Sequence, residues 1–115
     1  MNALSLPGFY LNNTSCGEDA IGMETGVVPN SNITASSYIG RKPPWEGRLG
    51  LYDSWRPTDT VNAFLQIDLG VAHYVCAVAT QGNPSSKLLA RFVTKYGLQL
   101  SLNGINWTEY EQVLT

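Results

Sequence analysis

The sequence predicts an all-β fold, a sandwich whose core serves as a scaffold for its loops. Three observations lead there. Phe64-Leu65-Gln66-Ile67-Asp68-Leu69-Gly70 alternates apolar with polar residues, the period-2 signature of a strand with one buried and one wetter face. Val75-Cys76-Ala77-Val78-Ala79 is apolar throughout and stops at Gln81-Gly82, the pattern of a strand covered on both faces. Only residues 71–74 separate the two runs, so they are expected side by side in the middle of the core. Third, no stretch of the chain carries a helical period over a convincing length.

The remaining elements follow in order. Residues 1–15 have no period and read as a tail or linker, with Phe9 and Tyr10 their large aromatic groups. Residues 17–26 are short and mixed, and Ala20, Ile21 and Met23 suit a position under a sheet. Val27-Val28-Pro29-Asn30-Ser31 reads as a turn, and the strand after it sets Ile33 and Ala35 against Thr34 and Ser36. Tyr38, Ile39 and Trp45 then flank Gly40-Arg41-Lys42-Pro43-Pro44. Two prolines cannot donate to a ladder, so this is a projecting loop, and apolar residues on such a loop require a reason. Leu49, Leu51 and Trp55 are spaced for one face, and Arg56-Pro57-Thr58-Asp59-Thr60 is a turn cluster. Asn83-Pro84-Ser85-Ser86 opens a second projecting loop carrying Lys87, Leu88, Leu89, Arg91 and Phe92. Tyr96, Leu98, Leu100 and Leu102 alternate as a strand. Asn103-Gly104 then signals a type I′ hairpin, with Trp107 and Tyr110 on the returning strand.

Hydrophobic residues make up 43% of the 115 residues and charged residues 14%. The charged share falls below the roughly 25% of ordinary soluble domains, with polar uncharged residues in its place, as in extracellular β-sandwiches. A net charge of −2 gives the chain as a whole no attraction to nucleic acid or anionic membrane. The seven basic residues nevertheless fall in two windows, Arg41, Lys42, Arg48 and Arg56, then Lys87, Arg91 and Lys95. Two readings stand open: ordinary solvated loops, or a local basic surface on an acidic module. No apolar run approaches the roughly 20 residues of a membrane-spanning helix. Residues 1–10 lack a basic start and are interrupted by Pro7-Gly8, so no signal peptide is expected there; either the true N-terminus lies upstream or the chain is a piece of a longer protein. Asn12, Asn13, Asn32 and Asn106 each begin an N-x-S/T acceptor triplet, which favours a secreted setting. Cys76 lies in an apolar run as a buried thiol would, while Cys16 sits in an exposed-looking segment. A bond between the two is the less favoured reading, and the redox state of Cys76 stays open.

Catalysis finds little support. His73 and Cys76 are three residues apart, which on an extended chain puts them on opposite faces. No His/Cys/carboxylate cluster has zinc spacing and no glycine-rich phosphate loop is present. Glu18, Asp19 and Glu24 are the acids available to a calcium site, although three acids in a loop ordinarily face water. The chain reads as no enzyme, with no cofactor.

Taken together, these pieces resemble a discoidin domain, also called the coagulation factor 5/8 C-type domain. The matching segments run in family order: Cys16-Gly17 with Ile21-Gly22-Met23-Glu24, Ile33-Thr34-Ala35-Ser36-Ser37, Arg48-Leu49, and Leu65-Gln66-Ile67-Asp68-Leu69-Gly70. Thr80-Gln81-Gly82 follows, then Ser101-Leu102-Asn103-Gly104-Ile105-Asn106-Trp107-Thr108-Glu109-Tyr110. No single piece is diagnostic, but the ordered set is. The resemblance implies a jelly-roll-like sandwich, of roughly eight antiparallel strands in the family, with residues 16–115 forming a C-terminally incomplete copy of it. It also implies an extracellular, non-catalytic module for adhesion or surface recognition, whose loops at one end project and bind the ligand. Here those loops are 38–46, 50–53 and 83–92.

The residues expected to bind are Tyr38, Ile39, Trp45, Leu88, Leu89 and Phe92 by apolar contact, and Arg41, Lys42, Lys87 and Arg91 by charge. Each cation beside an anionic membrane is worth about 1 kcal/mol, and aromatics favour the interface. The plain alternative is that Trp45, Leu88, Leu89 and Phe92 fold back to cap the sandwich. Anionic phospholipid, a surface glycan, and an extracellular protein such as collagen or a receptor ectodomain all remain open as partners. The resemblance further implies final strands, and a terminal cysteine paired with Cys16, that this sequence does not contain. The chain alone is therefore expected to be marginally stable or aggregation-prone. The first loop looks short and proline-stiffened for the family, and Cys76 stands where relatives commonly carry a small polar residue.

Overall fold

The computed structural model describes residues 2–5, 22–73, 75, 78–83 and 92–114, of which 2–5 and 111–114 are described by their backbone alone. Among them there is no α-helix. The chain runs through β1 (Asn2–Ser5), a 3-10 turn at Asn30–Asn32, β2 (Ile33–Ala35), a second 3-10 turn at Pro44–Gly47, β3 (Leu65–Ile67), β4 (Ala79–Gln81), β5 (Tyr96–Leu100) and β6 (Thr108–Leu114). The strands pair as three antiparallel ladders, β1 with β4, β2 with β3 and β5 with β6.

Alternation sets the central ladder. Ile33 faces Ile67, Thr34 faces Gln66 and Ala35 faces Leu65. Amide bonds from Asp68 to the Asn32 carbonyl at 2.8 Å and from Ser36 to the Phe64 carbonyl at 3.0 Å prolong it at both ends. Ile33 is buried and Thr34 exposed, as the period requires. Met23, Val28 and Ile33 form the buried cluster, and Leu65, Ile67 and Leu69 pack against it. Each fully buried side chain of this size stabilises the fold by about 1.5–3 kcal/mol before entropy is counted.

Several expectations are corrected. Among the described residues, the runs at 64–70 and 75–82 do not share a ladder. The described strand of the second is Ala79–Gln81, and it pairs with Asn2–Ser5, in the register Asn2 with Gln81 and Ser5 with Ala79. A four-residue connection does not oblige its two strands to be neighbours, because a sandwich sends consecutive strands to different sheets. Residues 2–5, read as part of a tail, therefore supply a strand. The turn expected over 27–31 contributes Val28 to the core and becomes helical at Asn30–Asn32.

The hairpin is where Asn103-Gly104 announced it, but the loop is longer than two residues. Leu100 faces Thr108, so residues 101–107 form the connection, and Leu102 falls in the loop rather than the strand. Only Gly104 of the pair has positive φ, +73°, where a type I′ turn needs it at both positions. Side chains take over the turn bonding instead. Ser101 Oγ accepts from the amides of Asn103 and Gly104 at 3.2 and 2.8 Å, and Asn103 Oδ1 from those of Ile105 and Asn106 at 2.9 Å each.

Arg48 also departs from its expected place among the surface cations. It is buried, donating from Nη1 to the Met23 carbonyl at 2.8 Å and from Nη2 to the Val28 carbonyl at 2.5 Å and to Asn30 Oδ1 at 2.8 Å. Burial lowers its pKa, but a guanidinium starts so high that it stays charged. Its planar fork ties Met23, Val28 and Asn30 to one side chain and so pins residues 23–30 together. Gly22 lets this segment close: a Cβ there would stand 2.6 Å from Val27 Cβ, and its φ is +128°.

Candidate functional site

The first projecting loop leaves β2 and is held in shape by backbone bonds to a distant stretch. Lys42 N donates to the Ile39 carbonyl at 2.8 Å, closing a turn over Gly40 and Arg41. Ile39 N donates to the Arg56 carbonyl at 2.9 Å, and Arg56 N to the Lys42 carbonyl at 3.2 Å. Pro43 is extended and Pro44 opens the 3-10 turn, a position where a missing N–H costs nothing. Glu46 N donates to the Pro43 carbonyl at 3.0 Å. The two prolines thus aim Trp45 by fixing the backbone that leads into it. Its ring lies 6.4 Å from that of Tyr38, tilted by 56°, an aromatic pair of favourable geometry. Tyr38 is 47% and Trp45 37% exposed, so the pair covers the loop without sealing it from water. Trp55, ten residues on, is buried instead and donates its indole N–H to the Ser37 carbonyl at 2.9 Å, supporting the base of the loop.

The short turn at 50–53 stands beside this loop. Gly50 has φ +80° and its amide donates to Gln81 Oε1 at 3.0 Å, tying the turn to β4. Tyr52 is 71% exposed on it. Asp53 accepts from Ser54 N at 2.9 Å and forms an ion pair with Lys42 Nζ, joining the two loops. That hydrogen bond from Lys42 holds the Asp53 carboxyl below the usual carboxylate range, against a smaller opposing effect of desolvation.

The structure therefore gathers Tyr38, Ile39, Arg41, Lys42 and Trp45 of the predicted residues at one place. Ile39 is half-buried, and Lys42 is no free cation, because Asp53 claims it. Arg41 is exposed. Lys87, Leu88, Leu89 and Arg91 lie outside the described residues, and Phe92 is exposed. Two residues of this surface escaped the sequence reading. Arg56 is brought against Lys42 by the backbone bonds above and is exposed. It lay in the first basic window, but read as part of a separate turn. Tyr52 followed from the turn at 50–53 and from nothing in its own spacing.

Cys16, Cys76, Glu18 and Asp19 lie outside the described residues, as do Asn12 and Asn13. Glu24 is exposed and lies against Gly50, its Oε1 3.0 Å from where a Cβ would stand. Among the described residues no group of three or more His, Cys, Asp or Glu side chains is placed to hold a metal.

The F5/8 type C domain model matches residues 32–115, most of the chain and all of this loop surface. The chain belongs to the F5/8 type C domain family. Its fold class is accordingly the all-β jelly-roll sandwich of discoidin domains, and the ladders above are parts of it. Among its relatives are neuropilin-1 of Mus musculus, 33% identical over 96% of this chain and 13% of the neuropilin, and neuropilin-2 of Rattus norvegicus, 38% identical over 78% and 10%. Lactadherin of Bos taurus is 32% identical over 81% of this chain and 24% of the lactadherin. The chain thus spans between about a tenth and a quarter of the length of these relatives. No solved structure matches it. F5/8 type C domains are extracellular binding modules, and this one belongs outside the cell, in a secreted or cell-surface protein.

Proposed function

We propose that this F5/8 type C domain is a non-catalytic recognition module that binds an anionic phospholipid surface through its loops, without a cofactor. The observation that carries the reading is the tilted Tyr38–Trp45 pair, left partly exposed on a proline-stiffened loop that carries Arg41 and is hydrogen-bonded through its backbone to Arg56. Aromatic rings settle at the boundary between water and acyl chains, and each basic residue beside an anionic headgroup adds about 1 kcal/mol. Tyr52 extends the aromatic surface, and Lys87, Leu88, Leu89, Arg91 and Phe92 of the second loop complete it in this proposal. Because the loop is already ordered by its bonds to Arg56 and Asp53, little entropy is lost on binding.

The test is sedimentation with phosphatidylcholine vesicles with and without phosphatidylserine. Binding is expected only with phosphatidylserine, weakened by salt and by Trp45→Ala or Arg41→Ala. Retention on a glycan array, competed by free sugar, would replace the phospholipid reading with a carbohydrate one. Capture of collagen or a receptor ectodomain with neither lipid nor sugar present would replace it with a protein partner.

A further inference from the structure

Away from the loops at 38–46 and 50–53, the connection between β5 and β6 exposes more apolar surface than a turn requires. Leu102 is 92% and Ile105 79% exposed, and Trp107 is exposed beside them in sequence. The loop is not loose. The Ser101 and Asn103 side chains hold its amides, and a further bond from Ser101 Oγ to Asn103 Oδ1 at 3.1 Å links the two. Large apolar groups fixed in water at a loop tip call for a cover.

Asn106 stands among them. It is exposed, it follows Ile105 and precedes Trp107, and Thr108, two residues on, opens β6 and completes an acceptor triplet. Asn32, the other acceptor asparagine among the described residues, is placed differently. Its side-chain amide donates to the Asp68 carbonyl at 3.1 Å and its own carbonyl accepts from Asp68 N at 2.8 Å, at the head of the central ladder. A sugar on that nitrogen would press against the ladder. Asn106 is exposed, on a loop whose residues 102–107 are all exposed with it.

We propose that Asn106 carries an N-linked oligosaccharide whose inner sugars cover the apolar tip of the β5–β6 loop, and that Asn32 is left unmodified in the folded protein. The donor is an oligosaccharide on a lipid diphosphate, the class used in the secretory pathway. Asn106 Nδ2 forms a bond to the anomeric carbon as that carbon's bond to the diphosphate oxygen breaks. The amide gives up one proton and the lipid diphosphate departs. An extracellular domain passes this donor on its way out of the cell. The apolar faces of the first sugars lie over an aromatic ring, and Trp107 is the ring within reach. This site is independent of the phospholipid reading.

The chain secreted from a eukaryotic host is treated with peptide N-glycosidase in heavy-oxygen water and mapped by mass spectrometry. The isotopic mark is expected at Asn106 and not at Asn32. The mass shift of that peptide should vanish in Asn106→Gln and Thr108→Ala and persist in Thr108→Ser. Should secretion fail, translation into microsomes reads the same peptide without export. An unmarked Asn106 in either setting, or a mark at Asn32 in the secreted protein, overturns the assignment. The covering role has its own readout, quenching of indole fluorescence by acrylamide before and after the glycan is removed. A rise that disappears in a Trp107→Phe background supports it, and quenching unchanged by removal overturns it.

Discussion

Releasing Lys42 from Asp53 by the substitution Asp53→Asn tests whether the ion pair that joins the two loops restrains binding. The amide is nearly isosteric with the carboxylate and keeps an oxygen for the Ser54 amide, which Asp53 now bonds at 2.9 Å. What changes is charge. In the native loops the Lys42 ammonium is matched by Asp53, so Arg41 and Arg56 are the exposed basic groups at 38–56. The substitution adds one positive charge to that surface and frees a side chain to reach a headgroup. One added cation at an anionic surface gives about 1 kcal/mol, which is a factor of about five in affinity, since 1.4 kcal/mol is tenfold. The cost in fold stability is small, because the half-exposed pair is still screened by water and contributes roughly 0.2–1 kcal/mol. Titration of phosphatidylserine vesicles should therefore show Asp53→Asn binding about fivefold more tightly. The gain should shrink as salt rises, because the screening length falls from about 8 Å at physiological ionic strength to about 3 Å at 1 M. It should also disappear when Lys42→Ala is added. Lys42→Ala alone should weaken binding less than Arg41→Ala does. If Asp53→Asn binds no tighter while Arg41→Ala still weakens binding, Lys42 does not face the membrane and the account of the ion pair is wrong.

Three further outcomes follow from the same geometry. Arg48→Met leaves the carbonyls of Met23 and Val28 without their buried donor and should cost about 3–5 kcal/mol in urea unfolding. Arg48→Lys should recover little of it, since an ammonium lacks the fork. Ile33→Ala empties a fully buried position in the central ladder and should cost about 2–5 kcal/mol by the same measurement, with vesicle binding per folded molecule unchanged. The pH dependence has a definite sign. Because the Asp53 pKa is lowered in the folded state, its ion pair stabilises the fold fully above the ordinary carboxylate pKa and is lost as pH falls through the lowered value. Carboxyl carbon NMR should place the Asp53 titration below that of an exposed aspartate, and Lys42→Ala should move it back up. An Asp53 titration unaffected by Lys42→Ala would falsify this assignment.

Much of the scaffold was legible from local pattern. The alternation at Leu65-Gln66-Ile67 set that strand's faces, and Ile33 and Ala35 set those of its partner, because a side-chain period of two leaves one way to bury the apolar set. The two prolines at 43 and 44 marked a projecting loop for a reason equally local, the missing N–H. Strand pairing was not legible at that level. The apolar run after Val75 reads the same whichever neighbour it takes, and its observed partner, Asn2–Ser5, carries little periodic signal of its own. The hairpin shows the same division: Asn103-Gly104 located the reversal, while Ser101 and Asn103 side chains, bonding over two or three residues, chose a longer loop.

For the site, residue type and position along the chain were enough to single out Tyr38, Arg41 and Trp45, since exposed aromatics and cations on a stiff loop are unusual wherever the loop points. Charge alone could not sort the basic residues. Arg41, Lys42, Arg48 and Arg56 are chemically alike as a string, yet the fold buries Arg48 on backbone carbonyls, neutralises Lys42 with Asp53, and brings Arg56 beside the loop. Which cations remain available depends on what lies a few ångströms away, and those neighbours come from 20 residues before Arg48, 11 after Lys42 and 14 before Arg56. Composition and pattern act along the chain and so determine an all-β module with aromatic, basic loops. Hydrogen bonds and ion pairs act across space, and only the folded chain decides which of those groups are left to meet a ligand.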